Sequence, residues 1–144
     1  MANLTCIANL PTRGADVTSM KAAVAATFYQ GSVALFAANG ITNAVTSGLP
    51  FAGIVAETKT AAVGDEIAVV VGGEVGLPTD KFAASDCGTL CYVDVSALSN
   101  NPADLVPASA AGTGDVPIGQ IQAYNLNGKV FVNLGIRAIA AAHA

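Results

Sequence analysis

Charge is what this chain has least of. Its 144 residues include six Lys or Arg and ten Asp or Glu, 11% in all, where a soluble domain carries about 25%. It has no tryptophan and one histidine, His143. Charge normally keeps a monomer's surface soluble. With so little of it, part of the surface is expected to be covered by other chains, unless Thr, Ser, Asn, Gly and Ala suffice. A lone histidine beside the C-terminus leaves Ser/His/Asp or Cys/His machinery without a base, so the chain is expected not to be an enzyme. The basic residues Arg13, Lys21, Lys59, Lys81, Lys129 and Arg137 stand singly, and the net charge is −4 with a pI of about 4.6. Nucleic-acid binders show a clustered basic footprint and a high pI, so no direct nucleic-acid partner is expected.

Cysteine is also scarce. Cys6, Cys87 and Cys91 make an odd count, and residues 1–10 lack the basic start and long apolar stretch of a secretory leader. A disulfide framework is not indicated. Cys87 and Cys91 have a spacing seen in some metal sites, but zinc needs two further ligands and His143 lies at the far end. Buried free thiols acting as small hydrophobes are expected, with no metal and no cofactor. Residues 22–56 contain no charge at all, and residues 22–38 pass a hydropathy window for a membrane span. Gln30, Gly31, Ser32, Asn39 and Gly40 interrupt the stretch, and its flanks lack a basic excess. Consecutive buried strands with polar turns are expected instead, and no membrane.

What is abundant is Ala, Val and Gly. Hydrophobic residues reach 53%, and the length suits one domain able to bury a core. Glycine turns follow short apolar runs at Gln30-Gly31, Asn39-Gly40, Ser47-Gly48, Gly64-Asp65, Gly72-Gly73, Gly76, Gly88, Gly112 to Gly114 and Asn127-Gly128. That punctuation predicts strands of a sandwich or barrel. Residues 128–136 put Val130, Val132, Leu134 and Ile136 on one face with period two. Residues 118–124 are the expected antiparallel partner, joined through Asn125-Leu126-Asn127-Gly128, since Asn-Gly tolerates the positive φ of tight hairpins. Ile67, Val69 and Val71 form a similar face, and residues 51–56, 90–95 and 21–29 are further predicted strands. Residues 82–86 are expected to form one helical turn.

Gly72-Gly73-Glu74-Val75-Gly76 lacks the Lys-Ser/Thr ending of a phosphate loop and is expected to be a turn between strands. Asp65-Glu66 is the one adjacent carboxylate pair, expected to be a solvated turn. Asn3-Leu4-Thr5 matches a glycosylation triplet, which means little without a leader. The predicted fold is all-β: a compact antiparallel β-barrel or sandwich with an extended N-terminal arm, one long loop at residues 100–114 and little helix. The boundaries are 1–20 for the arm, 21–137 for the β domain and 138–144 for a C-terminal tail.

The order of segments from residue 21 to 137 resembles the small capsid decoration, or cement, proteins of tailed bacteriophages. The pieces are Phe28-Tyr29-Gln30-Gly31-Ser32-Val33-Ala34-Leu35, the turn Asn39-Gly40-Ile41, and Pro50-Phe51-Ala52-Gly53-Ile54-Val55. They continue with Ala62-Val63-Gly64-Asp65-Glu66-Ile67-Ala68-Val69, Cys87-Gly88-Thr89-Leu90-Cys91-Tyr92-Val93 and a closing hairpin from Ile118-Gly119-Gln120-Ile121 to Lys129-Val130-Phe131-Val132-Asn133-Leu134. Each piece is weakly specific, and their order and spacing carry the likeness. Residues 1–20 and 100–114 depart from the pattern.

The resemblance implies a homotrimer on the outer surface of a virion's capsid, bridging major capsid subunits against internal pressure. Its points of shell or partner contact are expected in the arm, at Leu4, Cys6, Ile7, Leu10 and Arg13. Alternatives remain open: another virion component such as a tail tube, head-completion or fibre module, or a small-ligand-binding β-barrel.

Overall fold

The computed structural model describes residue 4 and residues 11–46, 48–126 and 128–134. Among them are eleven strands: β1 (Thr12–Lys21), β2 (Ala26–Phe28), β3 (Val33–Ala37), β4 (Gly40–Thr42), β5 (Phe51–Val55), β6 (Lys59–Ala61), β7 (Glu66–Pro78), β8 (Leu90–Val93), β9 (Leu105–Pro107), β10 (Val116–Leu126) and β11 (Lys129–Asn133). The fold is all-β, and no helix reaches seven residues. Nine strands form one antiparallel sheet in the order β4-β3-β5-β7-β11-β10-β8-β9, with β1 also on β7, while β2 and β6 form a separate ribbon. The large sheet curls into a half-barrel.

β7 is the spine. Val69 and Val70 pair with β1 and also with β5, and Glu74 and Val75 pair with β1 and also with β11. One edge of β7 therefore belongs to β1, and the other is divided between β5 and β11. The division falls at Gly72-Gly73, where the Leu134 amide donates to the Gly73 carbonyl at 2.8 Å. β5, β3 and β4 continue from one half of the spine; β11, β10, β8 and β9 continue from the other.

The charge-free stretch is explained by burial on two faces. Val33, Leu35, Ile54 and Val70 lie in one hydrophobic cluster with Val75, Leu77, Val130 and Val132. Their sequence neighbours Ala34, Val55 and Val69 lie in a second cluster with Phe28, Ile41 and Ile67. A strand packed on both sides reads as a continuous apolar run instead of an alternation. Each fully buried Val, Leu, Ile or Phe stabilises by about 1.5–3 kcal/mol.

The closing hairpin is as expected, with refinements. Leu126 pairs with Lys129, so the turn is two residues long, and Gly128 has φ +76°. Asn125, also at positive φ, lies in a register shift of β10 before the turn. Val130, Val132 and Leu134 are buried, and so is Phe131 on the opposite face. Ile136 lies outside the described residues. The helical turn near residues 82–86 is a 3-10 turn at Ala84–Asp86.

Three expectations are corrected. Residues 21–29 are not one strand: β1 ends at Lys21, residues 23–25 bend, and β2 begins at Ala26. The Ala22 amide donates to the Asp65 carbonyl and the Ala23 amide to the Ile41 carbonyl, both at 2.8 Å, which redirects the chain. Alanine fits either face, so its alternation carried no register. Gly72 to Gly76 is not a turn but the middle of β7, because the positive φ of Gly73 (+86°) is absorbed as a register shift opposite β1. The loop at residues 100–114 contains a 3-10 turn at Pro102–Asp104, then β9 paired with β8, then a second turn at Ala108–Ala110.

The stretch read as an arm divides as well. Residues 12–20 lie in β1, paired with β7, and of residues 1–10 only Leu4 is described. The tail at 138–144 lies outside the described residues, as does His143.

Candidate functional site

β1 is set on β7 by glycines. A Cβ on Gly73 would stand on the Gly14 carbonyl oxygen and 2.9 Å from the Ala15 Cα. A Cβ on Gly72 would come within 2.8 Å of the Asp16 carboxylate, and one on Gly76 within 2.7 Å of the Pro11 ring. The Gly76 amide donates to the Pro11 carbonyl at 2.8 Å. Gly14 itself has φ +63°, and the β1–β7 register shifts on either side of Asp16. The first half of β1 thus bulges into a notch that the glycines of β7 leave open.

Little covers β1 otherwise. Thr12, Gly14, Ala15 and every residue from Asp16 to Ser19 are exposed, and Val17 is 58% exposed. Proteins usually protect sheet edges by shortening, covering or charging them. The other margins of the large sheet follow that rule. β4 has three residues, and Ala22 forms a parallel bridge to its Ile41. β9 has three residues, all buried, and ends in Pro107. β1 is the long margin among the described residues, and it carries an exposed valine.

Beside Val17 lies a cleft of about 220 Å³, lined by Thr12, Ala15 and Val17 of β1, with Gln30, Ile54 and Val70 among its other walls. Sites for drug-sized ligands are usually about 300–1,000 Å³. This cleft lies below that range.

The contact residues expected from the sequence divide as follows. The Leu4 amide donates to Asn100 Oδ1 at 2.8 Å. Asn100 is buried; its Nδ2 donates to the Asn43 carbonyl, and its own carbonyl accepts from the Val33 amide, both at 2.8 Å. Leu4 is therefore tied to the β3 and β4 end of the sheet. Arg13 lies in β1 with its backbone opposite Glu74. Cys6, Ile7 and Leu10 lie outside the described residues. Gly14, Asp16 and Val17 were not singled out from the sequence. Their signal was the pairing of one glycine near the start of an exposed strand with a double glycine in a Val-rich run.

Four of the ten carboxylates hold turns or loops. Asp65 accepts from the Ala62 amide at 2.9 Å, Asp94 from the Ser96 amide and hydroxyl at 3.1 and 2.6 Å, and Asp115 from the Gly112 and Val95 amides at 2.7 and 3.1 Å. Asp86 is buried, accepting from the Ala83 amide at 2.7 Å and the Ser109 hydroxyl at 3.3 Å. Asp104 pairs with Lys81 at 3.2 Å. Among the described residues no three His, Cys, Asp or Glu side chains are grouped to hold a metal, and no helix is long and apolar enough to cross a membrane.

The two described cysteines differ. Cys91 is a free thiol in the core, as expected, and burial pushes its pKa well up. Cys87 is free but exposed, a correction to the expectation of burial. It follows the 3-10 turn and precedes Gly88 at φ +85°, so it sits on a turn and not in a strand.

No family model matches the chain, and no curated protein matches it.

Proposed function

We propose that this chain is a structural virion protein that binds the outer surface of a phage capsid as a homotrimer and stabilises contacts between major capsid subunits, with no catalytic role. The observation that supports it most is β1, a ten-residue margin strand in which Thr12 and residues 14–19 are exposed, with Val17 uncovered. Such a margin fits a chain that is completed by its neighbours. The low charge content agrees: with 11% charged residues, flat Ala-, Val- and Gly-rich surfaces approach other subunits with little desolvation of ions. Many weak copies on a symmetric shell add up, because each bound contact raises the effective concentration of the next.

Two measurements test this. The mass of the purified protein in solution is expected to equal three chains; a single-chain mass overturns the trimer. In virions that carry the chain, separated heads are expected to retain it. Recovery with tails alone overturns the capsid assignment and favours a tail component.

A further inference from the structure

We infer that β1 is an exchanged strand: in the assembled protein, Thr12–Lys21 of each copy lies along β7 of the next. This rests on the homo-oligomer proposed above and names how its copies are joined. The chain leaves β1 through residues 23–25, which bend and belong to no strand. Withdrawing β1, with Ala22 ahead of the bend, leaves the first hydrophobic cluster whole and takes only Met20 and Ala22 from the second. The opposite edge of β7 keeps its partners β5 and β11. Contacts within a chain and contacts after exchange are the same contacts, so passing the strand to a neighbour loses little, and each copy passing to the next closes a ring.

The notch in β7 decides what fills that edge. Gly72, Gly73 and Gly76 leave room where Asp16, Gly14 and Pro11 stand, and the double register shift fits a strand bulged at the same place. A generic extended peptide has neither the left-handed Gly14 nor the short side chain opposite Gly72. The occupant that matches is the same segment of a second copy.

The test is a bridge across the ladder. Ser19 lies opposite Ala68, and the Ala68 carbonyl is taken by the Ala56 amide of the β5 side. Ser19 and Ala68 are therefore a non-hydrogen-bonded pair, where Cα atoms stand about 4.5 Å apart, within disulfide range. Ser19→Cys with Ala68→Cys is oxidised as the assembled protein and run denatured without reductant. Ser19→Cys alone, run beside it, accounts for bonds through native cysteines, and thiol titration confirms closure. Should that pair stay open, Val17→Cys with Val70→Cys, the next pair of the same type, repeats the test. Chains linked to one another, up to a closed trimer, are the expected result. Internally bridged single chains from an oligomeric protein overturn the exchange and leave the trimer standing. A single-chain mass for the unmodified protein overturns the trimer itself.

Discussion

The carbonyl oxygen of Gly14 occupies the place where a Cβ on Gly73 would stand. Both residues have positive φ, +63° and +86°, so β1 and β7 kink together and their register shifts at the same point. Neither glycine serves a chain reversal here: Gly73 serves a close approach, and Gly14 a left-handed backbone.

Gly73→Ala therefore meets two penalties at once. The left-handed conformation costs an alanine about 1 kcal/mol or more, and the clash is with backbone, which cannot swing away. A loss of about 3 kcal/mol is expected in urea unfolding. Gly14→Ala, at a site with nothing within 4 Å of the added carbon, is expected to lose only about 1 kcal/mol. Equal losses at the two positions would show that the close approach contributes nothing.

The hairpin offers a second separation of the same two causes. Gly128 has φ +76° and open space around it, whereas Gly119 has no positive φ but faces the Asn133 backbone, with the Leu134 Cα at 3.1 Å from an added carbon. Gly128→Ala is expected to cost about 1 kcal/mol and Gly128→Asn less, since asparagine tolerates that conformation. Gly119→Ala, which pushes β10 off β11, is expected to cost about 3 kcal/mol. Denaturant midpoints at unchanged slope would check the order.

How much of this was legible beforehand depended on whether a residue has one physical use or several. Val130, Val132 and Leu134 alternate with Lys129 and Asn133, and that period left one strand assignment and one hairpin. The charge-free run to residue 56 was legible as buried strands because Gln30-Gly31 and Asn39-Gly40 interrupt it too often for one long apolar helix. Gly72 to Gly76 was not, since glycine at positive φ serves a turn or a bulge alike, and only β1 lying opposite decides. Residues 21–29 misled for the converse reason, because alanine is accepted on either face. Leu4 and Arg13 were named for partner contact; the Leu4 amide meets Asn100 and the Arg13 backbone lies opposite Glu74. The features that distinguish β1, its notch and its exposed Val17, need the pairing of residues about 55 apart, which no local pattern encodes.

Leu98 is a leucine in the left-handed region, φ +52° and ψ +39°, at the end of the 3-10 turn Val95–Ala97. It is 62% exposed, so its side chain gains little from the core to offset the backbone cost. Replacing it with glycine is expected to stabilise the isolated protein by about 1 kcal/mol. Leu98→Val, branched at Cβ and worse in that conformation, is expected to destabilise by a similar amount. Thermal unfolding of the three proteins side by side gives the order directly.

The cysteines give a prediction in pH and time. Only a thiolate is nucleophilic, and burial holds the Cys91 thiol protonated far above its ordinary value of 9.0. Exposed Cys87 is expected to react with a neutral alkylating reagent at pH 8 within minutes, while Cys91 waits for unfolding. Mass spectrometry of peptides from native and denatured protein distinguishes the two. The same shift sets a stability window. A thiol whose folded pKa is raised leaves stability unchanged below the unfolded value. Above about 9 the unfolded chain alone ionises, so stability falls as pH rises. Cys91→Ala is expected to remove that alkaline slope while losing about 1 kcal/mol at pH 7 from the vacated core volume. An alkaline slope unchanged in this variant would assign it to another group.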